Sequence, residues 1–206
     1  MEDEVKARLR GIHKAVNGDG RGVLERIVVT CTEMLVDRGC SSIAVCHDVP
    51  HTSPLVRGRG AHISIDVYLH ADDKVGVKYM RQVLTNVDDQ KADECDKDAD
   101  ATTKHVVVVS VGGPTPFTRK EFEGTNVQFF LARDVCYNPT RHSLVPKHVV
   151  VASPPQGVSK EELPRLLLSD RIVQYHNWPV GTIVYICRSF GGHEPVSYYR
   201  VVVASS

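Results

Sequence analysis

The stretch His105-Val-Val-Val-Val-Ser-Val111 constrains the fold more than any other in the chain. Five of its seven residues are valine. The run is too short for most helices, and β-branched side chains are restricted at χ1, which favours strand. A strand with valine at consecutive positions has no polar side to turn to water, so it must be covered on both faces. That requirement predicts a layered fold with helices packed on a sheet.

The flanking segments supply the layers. Gly112-Gly113-Pro114-Thr115-Pro116 breaks the run, and Thr118 to Gly124 is predicted as a short helix. Its Thr118 N-cap, with Glu121 three positions on, forms a capping box worth about 1 kcal/mol. Val127 to Phe130 follows as a strand. Upstream, Ala61 to Leu69 alternates, with Ile63, Ile65, Val67 and Leu69 on one side and His62, Ser64, Asp66 and Tyr68 on the other. Asp72-Asp73 reads as a turn, and Lys74 to Leu84 as a strand running into a helix whose apolar side is Met80, Val83 and Leu84. Asp88 to Asp100 has almost no apolar residues to repay ordering and reads as a mobile surface loop.

Before the sheet, Leu24, Ile27, Val28, Cys31, Met34 and Leu35 recur at helical steps, predicting a helix from Val23 to Arg38 that Gly39 ends. Cys46 to Gly60 shows neither period and reads as a loop. Glu4 to Val16 has helical character, and Gly18-Asp19-Gly20-Arg21-Gly22 reads as a hinge. The fold class is thus α/β (α+β), with a first domain ending near Tyr137.

Past Asn138-Pro139 the texture changes. His148 to Val151 is strand-like, and Ser159-Lys160-Glu161-Glu162 is a capped single turn that must end before Pro164. Ser169 or Asp170 caps a helix through Tyr175. Gly181 turns the chain into Thr182 to Arg188, and Gly191-Gly192 returns it through Ser197 to Val203 as a hairpin.

Twenty-five basic and twenty-five acidic side chains balance, so overall charge would not hold the chain to nucleic acid or an anionic membrane. No apolar run approaches the ~20 residues of a membrane span, and MEDEVKARLR lacks a signal-peptide core; a soluble intracellular protein is expected. The six cysteines show no C-x-x-C spacing and are expected as free thiols.

Apparent chemistry is sparse. Gly18-x-Gly20-x-Gly22 lacks the preceding strand and spacing of a dinucleotide site. Cys46, His47 and His51 lack a second ligand pair for zinc. No Ser or Cys stands in a nucleophile motif. Asp66 with Asp72-Asp73-Lys74 superficially resembles the carboxylate and lysine site of Mg-dependent nucleases, but its elements read first as a turn between two strands. No cofactor is expected.

In the C-terminal part the words Leu163-Pro164-Arg165, Ser169-Asp170, Val173, Tyr175, Gly181, Arg188 and Tyr199-Arg200-x-Val202 occur in order, preceded by His142-x-Leu144-Val145-Pro146-x-His148. This ordered set resembles the fifth subunit shared by the eukaryotic nuclear RNA polymerases, whose C-terminal domain has a small stand-alone counterpart in the archaeal polymerase. Less closely, Asp37-Arg38-Gly39, Lys74-Val75-Gly76-Val77-Lys78 and the valine run leading to Thr115-Pro116 resemble that family's jaw domain.

The resemblance implies an N-terminal extension (1–22), a jaw domain (23–137) near downstream DNA and an assembly domain (138–206) held on the largest subunit. It implies no catalysis by this chain, a place among the other polymerase subunits, and a nuclear location. His148, Arg165, Tyr175, Arg188, Tyr199 and Arg200 are then the expected largest-subunit interface. Thr115, Pro116, Arg119 and Lys120 are the expected DNA-proximal group, suited to phosphate contact without base reading. The chain departs from the family pattern at Arg171, where proline is usual, and at Val180, where a basic residue is usual. Lys147 stands at a commonly acidic position. Such drift suggests a divergent paralogue serving one enzyme, polymerase I, in the nucleolus. Two other classes remain open here: a free-standing nuclear interaction protein, and a Mg-dependent nuclease dependent on Asp66.

Overall fold

A computed structural model describes residues 20–46, 52–70, 74–93, 103–188 and 194–204. It divides into two compact units, Met1–Tyr137 and Asn138–Ser206. The N-terminal segment read as a helix over Glu4 to Val16 lies outside the described residues, as do His47, His51, Asp72, Asp73, Cys95 and Gly191-Gly192.

The first unit runs α1 (Gly20–Asp37), β1 (Ser42–Val45), β2 (Val56–Arg59), β3 (Ile63–His70), α2 (Val77–Asp93), β4 (Thr103–Ser110), α3 (Pro116–Glu121) and β5 (Val127–Leu131). Its sheet has the order β1-β2-β3-β4-β5. β1, β2 and β3 pair antiparallel, while β4 pairs parallel with both β3 and β5. The valine run is therefore an internal strand, and Val106 to Ser110 are all buried.

Register shows how both sides are covered. Val106 and Val108 share a face with Tyr68, Val127 and Phe129, and this face packs on Met80, Val83 and Val87 of α2 and on Phe122. Val107 and Val109 share the opposite face with Val67, and Val67 pairs in turn with Val56 on β2. Gly58 also lies on that face, directly against Leu35 of α1. Burying a valine fully is worth about 1.5–3 kcal/mol over leaving it exposed, so the run is the main anchor of the sheet. Helix α1 buries Val23, Ile27, Cys31, Met34 and Leu35. Gly39 ends it at φ +92°, a left-handed conformation that costs a side-chain-bearing residue energy.

Several expectations change. The Gly20-Arg21-Gly22 part of the supposed hinge is the first turn of α1. The expected loop over Cys46 to Gly60 contains β2, whose Gly58 removes any side chain where α1 crosses. β3 is not half exposed: Ser64, Asp66, Tyr68 and His70 are buried too, because α2 covers the side that looked polar. The expected strand at Lys74 is a single bridge, Val75 to Pro114. The expected loop from Asp88 is helical through Asp93, and 94–100 lie outside the described residues.

In the second unit, 3-10 turns at Pro139–Arg141 and Lys160–Glu162 accompany β6 (Lys147–Val151), β7 (Arg165–Leu167), α4 (Arg171–His176), β8 (Ile183–Arg188) and β9 (Val196–Val203). The sheet order is β6-β8-β9-β7. The expected hairpin is β8 and β9, in register from Ile183↔Val201 to Arg188↔Val196. Asp170 caps α4, its Oδ1 accepting from the Ile172 N–H at 2.8 Å. Glu162 accepts from the Ser159 N–H at 2.8 Å, so the capped turn forms and stops short of Pro164. The leucine-rich segment after Pro164, for which the sequence carried no expected element, forms β7, parallel to β9.

A Cβ placed on Gly58 would sit 2.5 Å from Leu35 Cδ2 and 2.7 Å from Cys40 Sγ, both in the core. Gly58→Val is expected to destabilise the protein by about 1–3 kcal/mol through overpacking. Urea unfolding checks this, and an unchanged midpoint would contradict the packing of α1 on β2.

Candidate docking interface

The sheet of the second unit has two unlike faces. On one, Leu166, Val184, Ile186 and Val202 pack with Val173 of α4, joined by Trp178 and Tyr198. On the other, Ile183 and Val201 pack under Leu163 at one end. The rest of that second face carries Val149, Tyr185, Tyr199 and Leu167 by register, with Val149 40% and Leu167 47% exposed. The Tyr185 and Tyr199 rings lie at 5.1 Å between centroids. Val149 and the two aromatic rings stand side by side in one row, with Leu167 further along beside Val203, an apolar surface of the composition that enriches interface centres.

The six residues expected at this interface do not form one patch. Arg165 and Tyr199 belong to the open face. His148, Arg188 and Arg200 belong to the face that α4 partly covers. Arg200 Nη1 donates to the Arg165 carbonyl at 3.0 Å, and its guanidinium lies 5.5 Å from the Tyr198 ring centre, so it braces β7 against β9. Tyr175 is 2% exposed, and its hydroxyl accepts from Asn138 Nδ2 at 2.9 Å. It holds the base of α4 to the Asn138 turn and has no surface to offer a partner, which corrects its placement at the interface. Val149 and Tyr185 were not singled out from sequence, although the alternation in Thr182 to Arg188 was the signal that would have found Tyr185.

In the first unit the Gly112 to Lys120 turn is tightly tied. Ser110 Oγ accepts from the Gly113 N–H at 3.1 Å, the Val75 N–H donates to the Gly113 carbonyl at 3.0 Å, and the Thr115 N–H donates to the Val75 carbonyl at 3.1 Å. Thr115, not Thr118, is the N-cap of α3: its Oγ1 accepts from the Thr118 N–H at 3.2 Å. Thr118 is buried inside the helix with its hydroxyl donating to the Val75 carbonyl at 3.0 Å. Glu121 pairs with Arg81 at 2.9 Å in place of completing a capping box. Pro116, Arg119 and Lys120 are exposed beside this turn.

Asp66 is 5% exposed and pairs with Arg59 Nη1 at 2.8 Å. Asp66 is thus engaged in an ion pair with β2, while Asp72 and Asp73 of the same sequence motif lie outside the described residues. No group of three or more His, Cys, Asp or Glu side chains suited to a metal occurs among the described residues. Among those residues no helix is long and apolar enough to cross a membrane.

His148 shares its face with Arg188 and Arg200. Its Nδ1 donates to the Pro146 carbonyl at 2.7 Å. Burial pushes the ring below the ordinary histidine value of 6.5, and Arg188 and Arg200 push the same way, against the Pro146 bond and Asp170. A histidine with a lower pKa folded than unfolded stabilises fully above the unfolded value and loses that contribution as pH falls from 6.5 through the folded value. His105, lowered by burial and then by Arg38, adds a second such dependence in the first unit. His148→Gln is expected to flatten the loss of urea resistance between about pH 7.5 and about pH 5.5. An unchanged slope would show that His148 is not held neutral by the fold.

Comparison with known proteins fits this division into units. Residues 137–202 match the family described as RNA polymerase Rpb5, C-terminal domain. Similar proteins include the DNA-directed RNA polymerases I, II, and III subunit RPABC1 of Caenorhabditis briggsae, 24% identical over 148 residues, covering 66% of this chain and 65% of that one. The subunit of the same name from Caenorhabditis elegans matches with the same identity and coverage. The similarity thus takes in somewhat under two thirds of each relative's length, and it includes more residues of this chain than the second unit holds. Residues 137–202 are thus similar to the Rpb5 C-terminal domain, and the chain that carries them is similar to the fifth subunit of these polymerases.

Proposed function

We propose that the chain is a non-catalytic structural subunit of a DNA-dependent RNA polymerase. Residues 138–206 act as its assembly domain on the largest subunit, and 23–137 as a jaw domain near downstream DNA. The observation that carries this reading is the family match over 137–202, which coincides with a compact unit whose sheet leaves one apolar face open. Val149, Tyr185, Tyr199 and Leu167 supply the buried centre of the contact, and Arg165 stands among them as a fork for a carboxylate of the partner. Both named relatives are subunits of the nuclear polymerases, which supports a nuclear location.

Assignment to polymerase I rests on where the departures fall. Arg171 and Val180 are both exposed, so they alter surface without disturbing the core. A subunit common to three enzymes must suit three partners at once, and specialisation for one relaxes that constraint. The nucleolus is then the expected location.

Affinity purification from nuclear extract should recover a complex containing the polymerase I largest subunit. Elution near the chain's own 22.8 kDa would support a free-standing protein instead. Recovery of only the polymerase II largest subunit would overturn the polymerase I assignment alone. Arg165→Glu is expected to cut co-purification roughly tenfold, about 1.4 kcal/mol, and undiminished recovery would remove Arg165 from the contact.

Arg119 and Lys120 are placed to touch phosphates of the downstream duplex. In the assembled enzyme, Arg119→Gln with Lys120→Gln should lower the slope of log affinity against log salt by about two. An unchanged slope would place the duplex elsewhere.

A further inference from the structure

Helix α1 has a second apolar side that the sheet does not cover. Its core side is Val23, Ile27, Cys31, Met34 and Leu35, and on the opposite side Val29 is 56% and Val36 55% exposed. With Glu25 and Thr32 these two valines follow one another at steps of four, three and four residues, which makes one continuous stripe along a helix. The stripe is about 16 Å long.

A matching stripe stands just ahead of α1 in the chain. In residues 5–16, Val5, Leu9, Ile12 and Val16 recur at the same steps of four, three and four. In a chain that doubles back on itself, Val16 meets Glu25, Ile12 meets Val29, Leu9 meets Thr32 and Val5 meets Val36, with no slip in register. That is the pairing of an antiparallel helical hairpin. Asn17-Gly18-Asp19 separates the segment from Gly20, where α1 starts. The four Cα steps from Val16 to Gly20 reach about 13 Å. This is enough to cross the roughly 8–10 Å between packed helix axes while rising about 7.5 Å to the level of Glu25.

Charge selects the same occupant. Residues 5–16 carry Lys6, Arg8, Arg10 and Lys14 and no carboxylate. Helix α1 carries Glu25, Glu33 and Asp37 against Arg21 and Arg26. Glu2-Asp3-Glu4 immediately precedes the segment, where the N-terminal end of a helix favours negative charge. A segment tethered three residues from α1 also meets it at a high effective concentration, which a separate partner of the same chemistry would have to exceed.

We propose that residues 5–16 dock as a helix on the outer side of α1, with Ile12 and Leu9 over Val29 and Thr32, and Val5 over Val36. The docked segment covers the second apolar side of α1 and carries Arg10 and Lys14 on its own far side. The surface there changes from acidic and apolar to basic. This contact is made within the chain and requires neither the assembly face nor a place in the polymerase.

The test is amide hydrogen exchange on the full chain, read by mass spectrometry. A lone helix of this length is marginal in water, so strong protection of 5–16 requires packing. Exchange there is expected to be at least about tenfold slower than in a free peptide of the same sequence. Val29→Lys and Val36→Lys each set a cation against the basic segment and should return that exchange to within about twofold of the peptide's, while Leu144→Lys in the second unit leaves it slow. All three positions are exposed, and slow exchange of Val106 to Ser110 in β4 verifies that each variant keeps the fold. Val36→Lys, in the last turn of α1, carries the test if Val29→Lys perturbs β4. Exchange of 5–16 at the peptide's rate in the parent, protection that survives both valine variants, or an equal loss with Leu144→Lys would each overturn the proposal. So would protection that appears only as protein concentration rises, since that would place a second copy on α1.

Discussion

The first unit depends on one constraint: the valines of β4 have no side that tolerates water. Satisfying that constraint takes a strand on each edge and a helix on each face, and nearly all of residues 20–131 serve to provide them. α2 covers Val106 and Val108, the α1 side covers Val107 and Val109, and β3 and β5 close the hydrogen-bonding edges. Gly58 belongs to this scheme because α1 can reach the sheet only where a side chain is missing. Outer parts of the unit, including the outer side of α1, are presented on elements whose inner sides are already fixed by this core.

The second unit solves a smaller problem differently. With four strands and one short helix it covers the middle of one sheet face, leaving Val150 and Val196 exposed at its margins, and the other only at the end beneath Leu163. An apolar face left open by the unit's own elements is costly for a free protein and useful for a subunit. The same small size explains why Tyr175 and Arg200 look functional in sequence and turn out to brace the fold. In a unit of these dimensions, long side chains that could reach a partner are also needed to tie a helix and an edge strand in place.

Much of the fold was legible because periodicity reports burial. The helix from Val23, the strand from Ile63, the valine run, the short strand at Val127 and the C-terminal hairpin all carry patterns that one face or two faces of a core impose. What misled was burial that the pattern does not reveal. Ser64, Asp66, Tyr68 and His70 look like the wet side of β3, but Asp66 is neutralised by Arg59 and α2 lies over them. The β2 strand, Val-Arg-Gly-Arg, has a single large apolar side chain, too little for a period to show, and is held by pairing with β1 and β3 and by α1 against Gly58. β7 was missed because a three-residue strand carries no period, and its pairing with β9 is a long-range event.

The sequence alone determined that the chain would be a layered α/β protein without an evident catalytic motif, and that its last seventy residues would resemble a polymerase assembly domain. Those properties are local, written in side-chain type and order. Only tertiary structure decided which residues of that domain face outward, separating Arg165 and Tyr199 from His148, Arg188 and Arg200 and withdrawing Tyr175 into the core. The physical reason is that facing and burial depend on strand pairing and helix placement between distant segments, and no short stretch of residues encodes its neighbour across the sheet.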